Sequence, residues 1–112
     1  MGKFEDQMAK YRTHLNDRAG VSDIDEGLLE KIARGQGPSI YLNDASQVSC
    51  GDEAELDRVR KNFGVKKLGM EEGDDLNNAI QSVCKKYDSR NKLRVPFYYL
   101  LTKELGKEDA MA

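Results

Sequence analysis

The chain has 112 residues, of which 38% are hydrophobic and 34% charged, and its net charge is −2. A chain of this length fits one domain that buries roughly 65% of its unfolded surface without needing metals or disulfides. No apolar run approaches the ~18 residues of a membrane span, and a pI near 5.4 argues against a dedicated nucleic-acid domain.

The opening "MGKFEDQMAK" carries charges every few residues and no apolar stretch, so no secretory leader is predicted. Asp6 stands where a myristoylation signal needs Ser or Thr. The expected location is the cytoplasm. Phe4, Met8, Tyr11 and Leu15 then fall at steps of four, three and four, which predicts a first helix over 3–18 with Gly20 as its stop. In "SDIDEGLLEKIARG", Asp23 and Glu26 form a capping-box-like start. Ile24, Leu28, Leu29 and Ile32 supply the stripe of the second helix, which Gly35 ends.

A third helix is predicted from Asp52, with Leu56, Val59 and Phe63 inward, and its acidic start and basic end suit the helix dipole. "GVKKLGMEEG" is a connection anchored by Val65, Leu68 and Met70. The fourth helix, over 74–87, has the clearest period: Leu76, Ala79, Ile80, Val83, Cys84 and Tyr87 share one face. Pro96 interrupts "SRNKLRVPFYYLLTKELG", so a turn followed by a fifth helix over 95–105 is expected. No segment alternates as a strand pair, and the tail 106–112 reads as frayed. The fold class is all-α: one domain, 1–112, a bundle of about five short helices with an irregular loop between the second and third.

The run "GPSIYLNDASQVS", then "ELDRVRKNF", "KKLG" and "RNKLRVPFYYLL", resembles a family of small bacterial proteins classed only as a domain of unknown function. The resemblance implies a short, cytosolic, helical protein with no assigned activity, cofactor or catalytic residue. It also implies unbroken helix where this chain has Pro96.

Residues 35–51 raise the sharpest functional question. "GQGPS" has paired glycines, as phosphate loops do, but no Lys–Ser or Lys–Thr pair follows and a helix precedes it. We read it as a structural connection: Gly35 and Gly37 end the second helix, Pro38–Leu42 turn, and Ile40 with Tyr41 or Leu42 plugs the bundle. Asn43, Asp44, Ser46 and Ser49 bond nearby backbone.

His14 has no nucleophile or carboxylate placed to make it a catalytic base, and is read as a partly exposed surface residue. Cys84 is read as an inert buried thiol, and Asp52, Glu53 and Glu55 oppose activation of Cys50. Spacing leaves a disulfide between them open, although a cytosolic chain keeps such thiols reduced. Neither the cysteines with His14 nor the run Asp52, Glu53, Glu55, Asp57 has metal-site spacing. No metal or cofactor is predicted.

Charge is unevenly spread. Residues 1–57 hold 6 basic and 12 acidic side chains, and residues 58–112 hold 12 basic and 8 acidic, so net −6 is followed by net +4. Arg58, Arg60, Lys61, Lys66 and Lys67 form one basic cluster; Lys85, Lys86, Arg90, Lys92 and Arg94 form another. If the ends of the third and fourth helices meet, these ten share one patch, with Tyr87 and Tyr98 available to stack on bases. The leading expectation is a non-catalytic protein-interaction module, binding another protein or a second copy of itself. The alternative is a nucleic-acid-associated protein using 58–67 and 85–94.

Overall fold

Helix α1, Lys3–Ala19, forms on the stripe that the sequence shows: Met8, Tyr11 and Leu15 are buried and Phe4 packs at the edge. Gly20 ends it with φ +69°, a left-handed conformation that glycine adopts without steric cost. The computed structural model describes residues 2–41, 47–90 and 92–111.

Helix α2, Glu26–Gln36, starts two residues later than Asp23 suggests. The cap is Asp25, whose carboxylate accepts the Leu28 N–H at 3.1 Å. The Asp25 N–H donates in turn to the Tyr99 hydroxyl at 2.8 Å. A partner 74 residues away therefore selects between two aspartates that are both good local caps. The helix runs through Gly35 to Gln36, and Gly37 closes it with φ +61°. A short 3-10 helix, Gly37–Tyr41, follows; it buries Ile40 and leaves Tyr41 exposed. Leu42, Asn43, Asp44 and Ser46 lie outside the described residues.

Helix α3, Glu53–Arg58, is capped by Asp52, which accepts the Ala54 N–H at 3.0 Å. It continues as a π-helical segment, Val59–Val65. The wider turn places Leu56, Val59 and Phe63 in the core and brings the buried Gly64 against α4, Asp74–Lys86. A Cβ on Gly64 would stand 2.7 Å from Leu76 Cδ1, so the two segments meet only because position 64 has no side chain.

Helix α5, Arg94–Leu105, is the centre of the molecule. Every residue from Val95 to Thr102 is buried, which is the pattern of a helix covered on all sides. It packs on α2 and α4 most heavily and on α1 as well. Each large apolar side chain there stabilises the fold by about 1.5–3 kcal/mol relative to exposure. Pro96 is its third residue, in the first turn, where no backbone N–H is needed as an intrahelical donor. The proline is thus accommodated without a kink or a break. Glu108–Met111 forms a 3-10 turn near α2.

The described residues form five α-helices and one small ladder. Strand β1, Gln47–Val48, pairs antiparallel with β2, Lys92–Leu93, with Gln47 opposite Leu93. Two-residue strands contain no alternation, so the pattern that would announce them does not exist in the sequence. The fold is all-α.

Candidate functional site

The fold brings the two basic clusters together at Glu55, which pairs with Arg58 of one and Arg94 of the other, but spreads their remaining cations along α4. Gly64 touches Leu76 near the start of α4, so Lys66 and Lys67 follow on that side, while Lys85 and Lys86 stand at its other end. Nine residues of helix, roughly 14 Å, separate Leu76 from Lys85.

Five of the ten are paired with carboxylates. Arg58 reaches Glu55 at 3.2 Å, Lys61 reaches Asp57 at 3.2 Å, and Lys86 reaches Glu104 at 2.7 Å. Arg60 donates to Asn77 Oδ1 at 2.6 Å and to Asp57 at 2.8 Å. Arg94 is enclosed, its side chain only 13% exposed; it donates to the Gln47 carbonyl at 2.9 Å and pairs with Glu55. Lys92 donates to the Ser89 carbonyl at 2.8 Å. Among the described residues, no carboxylate lies within ion-pair distance of Lys66, Lys67, Lys85 or Arg90, all exposed.

The two tyrosines are not available as base-stacking platforms. Tyr98 lies flat against Phe63, ring centres 3.9 Å apart and planes 9° from parallel, and Tyr87 is fully buried. Helical spacing marks both as inward, and burial removes their faces from any nucleotide.

His14 is tied to the core. Its Nδ1 stands 2.7 Å from the Tyr87 hydroxyl, which also accepts the Leu93 N–H at 3.0 Å. Burial, then Lys10 and Arg18, push the imidazole below its ordinary pKa of 6.5, with Asp17 opposing them. A neutral ring accepts the phenol proton on Nδ1, so the Tyr87 hydroxyl and the Leu93 N–H both have an acceptor. Burial also raises the Tyr87 phenol well above its ordinary range.

Cys50 and Cys84 form a disulfide, with Cα atoms 6.0 Å apart. The reading of Cys84 as a buried free thiol is corrected: its sulfur is bonded and the residue is half-buried. Cys50 sits in the turn before α3, and the packing of the π-helical segment Val59–Val65 on α4 runs α3 back along α4 toward Cys84. Sequence separation alone does not reveal this proximity.

The surface feature with binding character lies at the other end of the connector. Phe4, Ala33, Pro38, Ile40 and Tyr41 line a shallow groove between the start of α1, the end of α2 and the 3-10 helix. Tyr41, 42% exposed, is the exposed large hydrophobic side chain among the described residues. Arg34 is the charged residue of this lining, and its guanidinium carbon lies 4.5 Å from the centre of the Phe4 ring. Burial, with Tyr41 adding to it, pushes the Tyr11 phenol up to about 12. The "SIY" run hinted at this site as a plug. Of the described residues in that run, Ile40 acts as the plug while Tyr41 stays outside on the rim.

A family model described as "Protein of unknown function (DUF2853)" matches residues 10–109. The chain belongs to this family. The match spans α2 to α5 in full, α1 from Lys10 onward and the 3-10 helix with Ile40 and Tyr41. The resemblance carried by "GPSIYLNDASQVS" through "RNKLRVPFYYLL" is thereby confirmed at the level of the family. A search of curated proteins finds no match to the chain.

Proposed function

We propose that this DUF2853 protein acts by binding another protein, without chemistry of its own, and that the Phe4–Tyr41 groove is the contact. The observation that carries the reading is the exposure of Tyr41 beside buried Ile40 on an apolar floor rimmed by a cation. Tyrosine and arginine at a concave apolar surface are the residue types that anchor interfaces.

Charge complementarity defines the occupant. Arg34 pairs loosely with Glu30 at 3.3 Å through Nε, and its side chain is 63% exposed. Its two terminal nitrogens have no hydrogen bond among the described residues and are suited to a fork-like contact with a carboxylate. The partner segment therefore carries an aliphatic or aromatic anchor with an acidic residue beside it. A non-catalytic role is supported by the engagement of the reactive groups: the His14 ring is bonded to Tyr87 and the two sulfurs to each other.

Peptides selected from a displayed random library test this. The expected result is enrichment of segments pairing an apolar anchor with Asp or Glu, whose affinity falls at least tenfold for Tyr41→Ser and for Arg34→Glu. Selection of basic or purely polar peptides, or binding indifferent to both substitutions, overturns it. Concentration-dependent sedimentation abolished by Tyr41→Ser would instead assign the groove to a second copy.

A further inference from the structure

The Cys50–Cys84 bond joins the turn before α3 to the last turn of α4, across 34 residues of sequence. Cys50 lies in the turn where the Asp52 N–H donates to the Ser49 carbonyl at 3.2 Å, between β1 and the cap of α3. Cys84 follows the fully buried Val83 on α4. Among the described residues, and apart from the disulfide, segment 47–52 is held by the two-residue β1–β2 pairing, by the Arg94 bond to the Gln47 carbonyl and by the bonds of Asp52 to the start of α3. Within it only Val48 is buried, and a polar cleft lined by Gln47, Ser49, Glu55 and Arg90 borders it, so little packing resists its displacement. Both cysteines sit at the edge of the core and are half-buried.

The core itself does not include the sulfurs. Its 25 buried apolar residues run through all five helices without them. Val48 is the one core residue in segment 47–52, so opening the bond removes a cross-link while leaving the 24 other core residues in place. A bond with that placement suits regulation better than one enclosed in the core.

We infer that Cys50–Cys84 is a reversible redox clasp, opened by a dithiol reductant to release segment 47–52 from α4 while the helical core stays folded. A thiolate of the reductant attacks one sulfur, forming a mixed disulfide as the other cysteine leaves as thiolate and takes up a proton. The second thiol of the reductant then displaces the first cysteine, giving two protein thiols and one oxidised reductant, a transfer of two electrons and two protons. Closure is the reverse reaction with a small disulfide oxidant such as oxidised glutathione, which is reduced to two thiols.

The full-length protein is equilibrated in glutathione buffers from fully reduced to fully oxidised, trapped with a maleimide and weighed by mass spectrometry. Both thiols are expected to appear together in one two-electron transition without denaturant. Hydrogen exchange of the reduced form should be at least tenfold faster in segment 47–52 and within about twofold of the oxidised form in α1, α2 and α5. The Cys50→Ser/Cys84→Ser double variant should show the same pattern and ignore the buffer. Its Tm is expected to be lower by roughly 10 °C. A bond that opens only in denaturant, or reduction that accelerates exchange throughout the chain, overturns the clasp in favour of a purely structural cross-link. Two free thiols that persist in oxidised glutathione overturn it as well. Should the double variant not fold, the reduced wild-type chain alone decides.

Discussion

The Tyr87 hydroxyl stands between His14 Nδ1, at 2.7 Å, and the Leu93 N–H, at 3.0 Å, and so fastens α1 to the start of α5 through the end of α4. A protonated imidazole would make Nδ1 a donor. Tyr87 would then face two donors, with no acceptor among the described residues for its own buried proton. The folded state accordingly favours the neutral ring, and burial with Lys10 and Arg18 acts in the same direction.

The pH dependence follows with a definite sign. The folded pKa of His14 lies below the unfolded value of 6.5, so the unfolded chain binds more protons in that window. Stability from this group is fully present above pH 6.5 and is lost as pH falls through the folded value. Urea unfolding between pH 5 and 8 should show wild type weakening toward acid more steeply than His14→Asn. Equal slopes for the two proteins would remove His14 from the linkage.

Tyr87→Phe keeps the ring and deletes the shared oxygen. The buried Leu93 N–H loses its partner, at a cost of about 1–3 kcal/mol. Denaturant unfolding measures this, and the variant should also lose the pH response assigned to His14.

Arg94 and Glu55 form an ion pair whose side chains are 13% and 12% exposed. Arg94→Met leaves the enclosed Glu55 with only the exposed Arg58 as counter-charge, so it should destabilise the protein by about 1–3 kcal/mol. Replacing both, as Arg94→Met with Glu55→Met, should recover much of that loss. A double-mutant cycle by chemical denaturation checks it, and additive effects would mean the charges do not compensate one another.

Gly64→Ala sets a helix-propensity gain of about 1 kcal/mol against overpacking of about 1–3 kcal/mol. Contact with Leu76 Cδ1 at 2.7 Å and Cγ at 3.3 Å inside a packed core makes the second effect the larger. Thermal unfolding should show a lower Tm, restored in part by Leu76→Val.

Tyr99→Phe and Tyr41→Ser should separate folding from binding. The first strands the Asp25 N–H that sets the start of α2 and should cost about 1–2 kcal/mol. The second removes an exposed ring and should change stability by less than about 0.5 kcal/mol while abolishing groove-dependent binding. Parallel melts and peptide titrations of the two variants test the division.

Periodicity made the helices legible. Met8, Tyr11 and Leu15, and Leu76, Ala79, Ile80 and Val83, are spaced to share one helix face, and all are buried. Local chemistry likewise marked Gly20 and Asp52 as helix boundaries, because a left-handed stop and an N-cap need only neighbouring backbone.

Tertiary structure decided what depends on distant partners. Tyr99 chose Asp25 over Asp23 as the cap of α2, and the packing of the π-helical segment Val59–Val65 on α4 brought Cys50 to Cys84. Arg94 lies inside with Glu55 and donates to the Tyr98 hydroxyl at 3.1 Å, and Tyr87 and Tyr98 are buried, so the rings are not on the surface with the exposed cations. The physical reason is range. A helix period and a cap are set within about four residues. By contrast, the partner of a charge, a thiol or a phenol is whatever side chain the completed fold brings against it.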